Sequence, residues 1–240
     1  MLVGFGCIAI LVGSCSLMPK VQTRSYYILS YVPATAFPPS SQRPYKFALQ
    51  VGPFEVQRIF NRQNMVYRYS PHQIQYYELQ QWSVRPDQMV DDVILEHLQK
   101  VNLTNRIAAD FLEQRPDYRL AGVVNALEKY DAGDTYYAHL AMTFRLVRVS
   151  DGVQVWDHSF DTRRQVFQQE MVYTVRSLSA ILQEEMDVVA TQLDSLFFST
   201  QNGRAPEPAP AAGPARPVSN DAPPAGKVDE NAFDIVPEKR

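Results

Sequence analysis

Cysteine is nearly missing from this chain of 240 residues: there are two, Cys7 and Cys15, both close to the N-terminus. Everything after Cys15 therefore has neither a disulfide nor thiol chemistry, and zinc patterns built on Cys and His are excluded. A basic excess is missing as well. Lys and Arg number 23 against 26 Asp and Glu, a net charge of −3, which argues against a nucleic-acid partner. The 4 histidines, His72, His97, His139 and His158, are scattered without metal-ligand spacing and read as packed or solvated side chains. Neither a glycine-rich phosphate loop nor a nucleophile elbow occurs. The carboxylate pairs Asp91-Asp92 and Glu184-Glu185 fall on predicted helices, where adjacent residues point in different directions, so solvated faces are expected. These absences leave no catalytic constellation, no metal site and no cofactor, and the expectation is that the protein is not an enzyme.

What is present starts at the N-terminus. An apolar stretch ends in Leu11-Val12-Gly13-Ser14-Cys15. It is short for a bilayer span, which takes about 20 residues, and reads as a removed targeting segment. A short apolar run that closes on small residues and then cysteine resembles a bacterial lipoprotein signal, in which the cysteine is acylated and becomes the first mature residue. Cys15 is thus the expected lipidation site, and the lipid is the only prosthetic group expected. One acyl chain holds a protein only marginally, whereas several chains tether it almost permanently. Residues 1–14 contain no Lys or Arg, so any n-region charge is the terminal amine or lies upstream.

At the other end, residues 201–240 are mostly Pro, Ala, Gly and polar, as in Ala205-Pro206-Glu207-Pro208. Such a segment buries too little apolar surface to offset its ordering entropy and is expected to be a disordered tail. Residues 32–44, with Pro33, Pro38, Pro39 and Pro44, read as a linker. The expected organisation is a signal peptide at 1–14, a lipidated N-terminus with a first strand and linker at 15–44, one α+β domain at 45–200 (joined by strand 24–31), and the tail. A length of 240 residues agrees with one or two domains at about 150 residues each.

Within the domain, Tyr45, Phe47, Leu49 and Val51 alternate with more polar neighbours, the period of a half-buried strand, until Gly52-Pro53 ends or bends it. Strands are also predicted at 64–70 and 73–78, joined at Ser70-Pro71-His72, and at 106–112. A meander is predicted over 118–130, 135–149 and 153–164; its second turn, Ser150-Asp151-Gly152, is a strong hairpin signal. In its middle strand Tyr136, Ala138, Leu140, Met142, Phe144 and Leu146 share a face. Pro86 suits a first helical turn, with Asp87 and Asp91 complementing the dipole; Met89, Val90, Val93, Ile94, His97, Leu98 and Val101 follow at helical spacing. A long amphipathic helix carries Met171, Val175, Leu178, Leu182, Met186, Val189, Leu193 and Leu196 on one stripe. The economical arrangement is a mixed, largely antiparallel sheet with both helices packed on one face, the other face being free for solvent or a partner.

Aromatic residues crowd the first half of the domain, among them Tyr26, Tyr27, Phe47, Phe54, Phe60, Tyr67, Tyr69, Tyr76, Tyr77 and Trp82. Strand propensity and core packing account for them, and a partner surface is the alternative, since Tyr and Trp favour interfaces.

Several segments then carry a family likeness. Ser25-Tyr26-Tyr27-Ile28-Leu29 soon after the lipidated cysteine resembles the opening of the ABC-type transport auxiliary lipoproteins, the PqiC-like family. Similar to that family too are Leu49-Gln50-Val51-Gly52-Pro53-Phe54-Glu55-Val56, then Phe60-Asn61-Arg62-Gln63-Asn64-Met65-Val66-Tyr67-Arg68, Trp82 ahead of a helix, Asp117-Tyr118-Arg119-Leu120, and Leu146-Val147-Arg148-Val149-Ser150-Asp151-Gly152. Gln57 departs from a usual proline, Asn61 from a usual Asp, and Pro86 is displaced by about a residue relative to Trp82.

The resemblance implies an accessory component of a lipid-transport system in a double-membraned bacterium, docking the periplasmic MCE-domain protein of an ABC-type transporter. Ser16 follows the cysteine where an Asp resembles an inner-membrane retention signal, so outer-membrane anchoring on the periplasmic side is favoured. A structural or assembly lipoprotein of another envelope machine, for secretion or lipopolysaccharide export, is the alternative; a homo-oligomer is compatible with either. The best candidates for the partner contact are the loop at 57–62 and its neighbour Trp82. Phe60 and Trp82 offer apolar anchors, while Arg58 and Arg62 offer charge-assisted hydrogen bonds to carboxylates. For Trp82 a core position that orients the first helix is the competing expectation.

Overall fold

The computed structural model describes residues 23–33, 43–112 and 114–203. The signal segment with Cys15, most of the linker and the tail beyond residue 203 lie outside the described residues. The elements run β1 (Ser25–Tyr27), β2 (Tyr45–Val56), β3 (Asn64–Ser70), β4 (Gln73–Trp82), α1 (Pro86–Lys100), β5 (Thr104–Ala108), β6 (Tyr118–Asp131), β7 (Tyr136–Arg148), β8 (Gln154–Val166) and α2 (Met171–Gln201). All eight strands join one mixed sheet.

Strand β6 is its hinge. One edge pairs antiparallel with β7 along the full length, from Tyr118↔Arg148 to Asp131↔Tyr136, and β7 continues antiparallel to β8. The other edge is shared: β2 runs parallel to residues 118–124 of β6, and β3 parallel to Lys129 and Tyr130. The sheet thus forks, β2 leading to β5 and β3 leading to β4 and β1. The β2–β5, β2–β6, β3–β6 and β1–β4 pairs are parallel. They are short, and the antiparallel meander carries most of the ladder.

The predicted face of β7 is the core. Ala138, Leu140, Met142, Phe144 and Leu146 are fully buried, and Leu178, Leu182, Met186, Val189 and Leu193 of α2 cover them. Helix α1 lies on the same side, burying Met89, Val90, Ile94 and Leu98 mainly over β2. Pro86 sits in its first turn as expected.

Three boundaries differ from expectation, each because a partner strand runs out or runs on. β1 keeps only three paired residues, since its partner β4 ends at Trp82, opposite Tyr27. The chain then drops off the sheet edge: Leu29 is buried, Ser30 N donates to Ser179 Oγ at 3.2 Å and Gln183 Nε2 to the Val32 carbonyl at 3.0 Å. β4 extends to Trp82, past the predicted end at 78, because β3 and β1 both pair with its second half. β5 lies at 104–108, ahead of the predicted 106–112, because its ladder with β2 closes at Gln50↔Ala108, just before the bulge at Gly52-Pro53.

Candidate functional site

The bulge in β2 builds the candidate site. Gly52 has φ +87°, a backbone open to glycine, and the β2–β6 register slips between Val51 and Phe54. Pro53 has no N–H to give and Phe54 N is displaced from the ladder. Asp91, reaching across from α1, accepts that proton at 2.8 Å. Asp91 is therefore half-buried and engaged, which corrects the expectation of a solvated helix face for it, whereas Asp92 is exposed as expected. Glu185 is likewise engaged, accepting from His158 Nε2 at 3.1 Å.

Past Val56 the chain turns sharply. Phe60 N and Asn61 N both donate to the Gln57 carbonyl, at 2.8 and 3.0 Å, and Gln57 N donates to the Val124 carbonyl of β6. Asn61 Nδ2 then donates to Asp87 Oδ2 at 3.1 Å, tying the turn to the start of α1. Phe60, 2 % exposed, plugs into the core beneath this turn, and Trp82 is 1 % exposed. Neither is a surface anchor: both side chains belong to the buried hydrophobic core. The expected pairing of two apolar anchors with two arginines thus divides, with Arg58 and Arg62 exposed on the rim and the aromatic pair inside.

What the surface does carry is an open groove of about 520 Å³ between the turn and the first turns of α1, lined by Pro53, Glu55, Gln57, Arg58, Asp87 and Gln88 among others. Burial raises the Asp87 carboxyl, but hydrogen bonds from Asn61, Gln88 N and Arg85 outweigh it, and its pKa is net lowered. One turn on, burial holds Asp91 above the usual carboxylate range. Just past Asn61, which lines the groove, the Arg62 guanidinium stacks on the Tyr76 ring at 3.9 Å, and the same turn exposes a large apolar residue, Ile59. Ile59 lies in the 57–62 loop expected to carry the contact, and Tyr76 is among the aromatic residues for which a partner surface was the alternative, although neither was singled out as an anchor. The only signal for Tyr76 was the doublet Tyr76-Tyr77, which places one ring on each side of the strand.

The sheet face away from the helices holds a second polar cluster. Glu128, 3 % exposed, accepts from Arg68 Nε at 2.9 Å and bonds His139 Nδ1 at 3.0 Å; His139 Nε2 bonds Asp161 Oδ1 at 2.8 Å. Burial raises the Glu128 carboxyl and these partners lower it, with a net lowering. This chain of contacts contains no Ser, Thr, Cys or Lys. Among the described residues no group of three or more His, Cys, Asp or Glu is arranged to hold a metal ion, and no helix is long and apolar enough to cross a membrane.

A forked mixed sheet with two helices on one face and a groove at the β2 bulge defines a small α+β domain. The family model of the ABC-type transport auxiliary lipoprotein component matches residues 27–190, and the chain belongs to that family. It is similar in fold to protein XCC0632 from Xanthomonas campestris, assigned to family DUF330, at 18% identity and TM-score 0.60, covering 74% of this chain and 98% of that one. A second solved structure, of an uncharacterized protein, aligns at 17% identity and TM-score 0.56 over 71% of this chain and 99% of that one. No curated protein matches the sequence.

Proposed function

We propose that this auxiliary lipoprotein is non-catalytic, acylated at Cys15, held on the periplasmic side of the outer membrane, and that it docks the MCE-domain protein of a lipid transporter. The family match over residues 27–190 is the observation that carries the reading. The docking surface is the rim of the β2 groove: Arg58 and Arg62 supply charge, while Ile59 and Tyr76 supply apolar area. Arginine on a tyrosine face keeps its fork free for a partner carboxylate, an arrangement favoured at interfaces. Phe60 and Trp82 serve indirectly, by fixing the turn that presents these residues.

The test is capture of the MCE protein by the full-length lipoprotein. Arg58→Glu combined with Arg62→Glu is expected to weaken capture at least tenfold, the equivalent of about 1.4 kcal/mol, with an unchanged melting temperature. Capture at wild-type strength by that variant sinks this surface, and recovery of a secretin or a lipopolysaccharide-export barrel instead of an MCE protein sinks the functional reading.

A further inference from the structure

The strand registers sort the molecule into two ends. At one end lie the β3–β4 turn, closed at Ser70↔Gln73, the β6–β7 turn, closed at Asp131↔Tyr136, and the end of β8, where Val166 also pairs with Tyr136. This end is built of tyrosine. Tyr67 packs on Tyr69 and Tyr77, with ring centroids 5.2 and 4.3 Å apart, and Tyr130 packs on Tyr137 at 6.4 Å. Lys129 Nζ stands 4.2 Å over the Tyr136 ring, and Arg163 lies over Tyr130 at 5.2 Å. Just beyond β8, Phe167 is 81% exposed, and Tyr69 is 47% exposed. Acidic neighbours are few here: Asp131, Asp134 and Glu170. The far end holds the Ser150-Asp151-Gly152 turn, Asp117 and the end of α2, with Leu112 and Phe198 as its exposed apolar residues.

Chain direction decides between the ends. β1 is parallel to β4, with Ser25 opposite Gln80 and Tyr27 opposite Trp82; since β4 runs away from the β3–β4 turn, the chain ahead of Ser25 comes from the tyrosine end. From Thr23 to Cys15 there are eight Cα steps, at most about 29 Å of chain. The β3–β4 turn lies some five residues beyond the level of Thr23, roughly 17 Å along the strands, so this length reaches past the tyrosine end by only about 10 Å. The far end is reached only by doubling back over roughly 30 Å, the whole tether.

We infer that the tyrosine end is the membrane-contacting surface of the protein, seated at the headgroup level of the bilayer with Phe167 as its apolar tip. The inference rests on acylation of Cys15. Tyrosine is the side chain enriched at that level, with an apolar ring and a wet hydroxyl, and of the two cations over these rings the exposed Arg163 carries charge toward phosphate, whereas Lys129 is buried and donates to the Gln169 carbonyl. Seating this end on lipid points the far end of the sheet into the periplasm and leaves the β2 groove, part-way down, clear of the bilayer.

The full-length acylated protein, reconstituted in vesicles of phosphatidylethanolamine and phosphatidylglycerol, gives the test. Single thiols at Phe167→Cys, Tyr69→Cys and Asp151→Cys are labelled with bimane, and a headgroup-nitroxide lipid is the quencher. Quenching several-fold stronger at positions 167 and 69 than at 151 is expected, in variants that each keep a cooperative melting transition. Equal or reversed quenching in protein that floats with the vesicles overturns the membrane-contact surface and leaves the anchor standing. Loss of flotation in wild type, or flotation undiminished by Cys15→Ala, overturns the anchor reading and the contact surface with it.

Discussion

The two faces of the β6–β7–β8 meander are built from the same strands, yet where the open face buries side chains it does so by different physics from the helix face. On the helix side Leu120, Leu140, Met142 and Phe144 are fully buried beneath α2, and each gains its stability from leaving water. On the open side Glu128 and His139 are nearly as deeply buried, at 3 % and 6 % exposed, with no helix above them. There the cover is Arg68, from the forked β3, and Asp161, and burial is tolerated because each charged group is met by another. A face that looks free for solvent on topology alone is thus locally closed by its own ion network.

The largest effects are expected on the helix side. Leu182 and Leu193 are both fully buried. Leu182→Asp or Leu193→Asp removes a leucine's packing, worth about 2–5 kcal/mol, and adds an unpaired carboxylate. Against a total stability of about 5–15 kcal/mol, loss of a cooperative thermal transition is expected for either variant. Two variants melting like wild type would mean α2 is not docked along this stripe.

The open face sharpens the comparison. Glu128→Ala takes one partner from each of Arg68 and His139, which keep the Pro71 carbonyl and Asp161, and a loss of roughly 3 kcal/mol is expected, the low end for a broken buried pair. The pKa of Glu128 is lowered on folding, so its contribution is present above the unfolded value near 4.3 and is lost as pH falls through the folded one. Chemical denaturation at pH 7 and at pH 3 checks both points: the gap between wild type and Glu128→Ala is expected to close in acid, and a constant gap would show that packing, not charge, is what was removed.

Much of this contrast was legible in the sequence, and one part could have been. The alternation of β7, the Ser150-Asp151-Gly152 turn and the α2 stripe rest on local periodicity, and all three stand in the structure. The antiparallel register also follows from the Asp131-Ala132-Gly133-Asp134 turn, and it places Glu128 opposite His139. Reading that pair across the hairpin would have marked His139 as partnered. The parallel joins of β2 and β3 to β6 leave no local trace, since they depend on a crossover through α1 and β5. For the same reason Phe60 and Trp82 looked like possible anchors: an aromatic beside a turn has the same signature whether it faces in or out, and only the fork in the sheet supplies the space they fill.

A smaller effect is expected from His97, the buried imidazole between α1 and α2. Burial pushes its pKa down to about 4, Tyr31 packs against it edge-on at 5.7 Å, and Asp187 Oδ1 at 3.6 Å is beyond hydrogen-bond reach. The unfolded chain takes up this proton near pH 6.5, the folded one near 4. Stability is therefore expected to fall as pH drops through that window and to level off below it, a window separate from that of Glu128. In His97→Leu the slope between those pH values is expected to flatten; an unchanged slope would assign it to another group.

The smallest effect is expected from the tail. Helix α2 ends within the described chain: Asn202 N donates to the Phe198 carbonyl at 3.2 Å, Gly203 N to the Thr200 carbonyl at 3.1 Å, and Gly203 takes the positive φ, +85°, that favours glycine after a helix. The last carbonyls are further met by Asn202 Nδ2, which donates to the Phe198 carbonyl at 2.9 Å. Phe197, the last core residue among the described residues, packs on Tyr45 and Tyr118 one turn before this cap. Composition carries the rest, because a segment rich in Pro and Ala with few large apolar residues has little to bury. Cutting the chain after Gly203 is expected to leave the melting temperature within a degree or so of wild type, since a change of 1 kcal/mol moves it by roughly 2–4 °C in a domain of this size. A drop of several degrees would place part of 204–240 on the domain and break the symmetry of two faces into three.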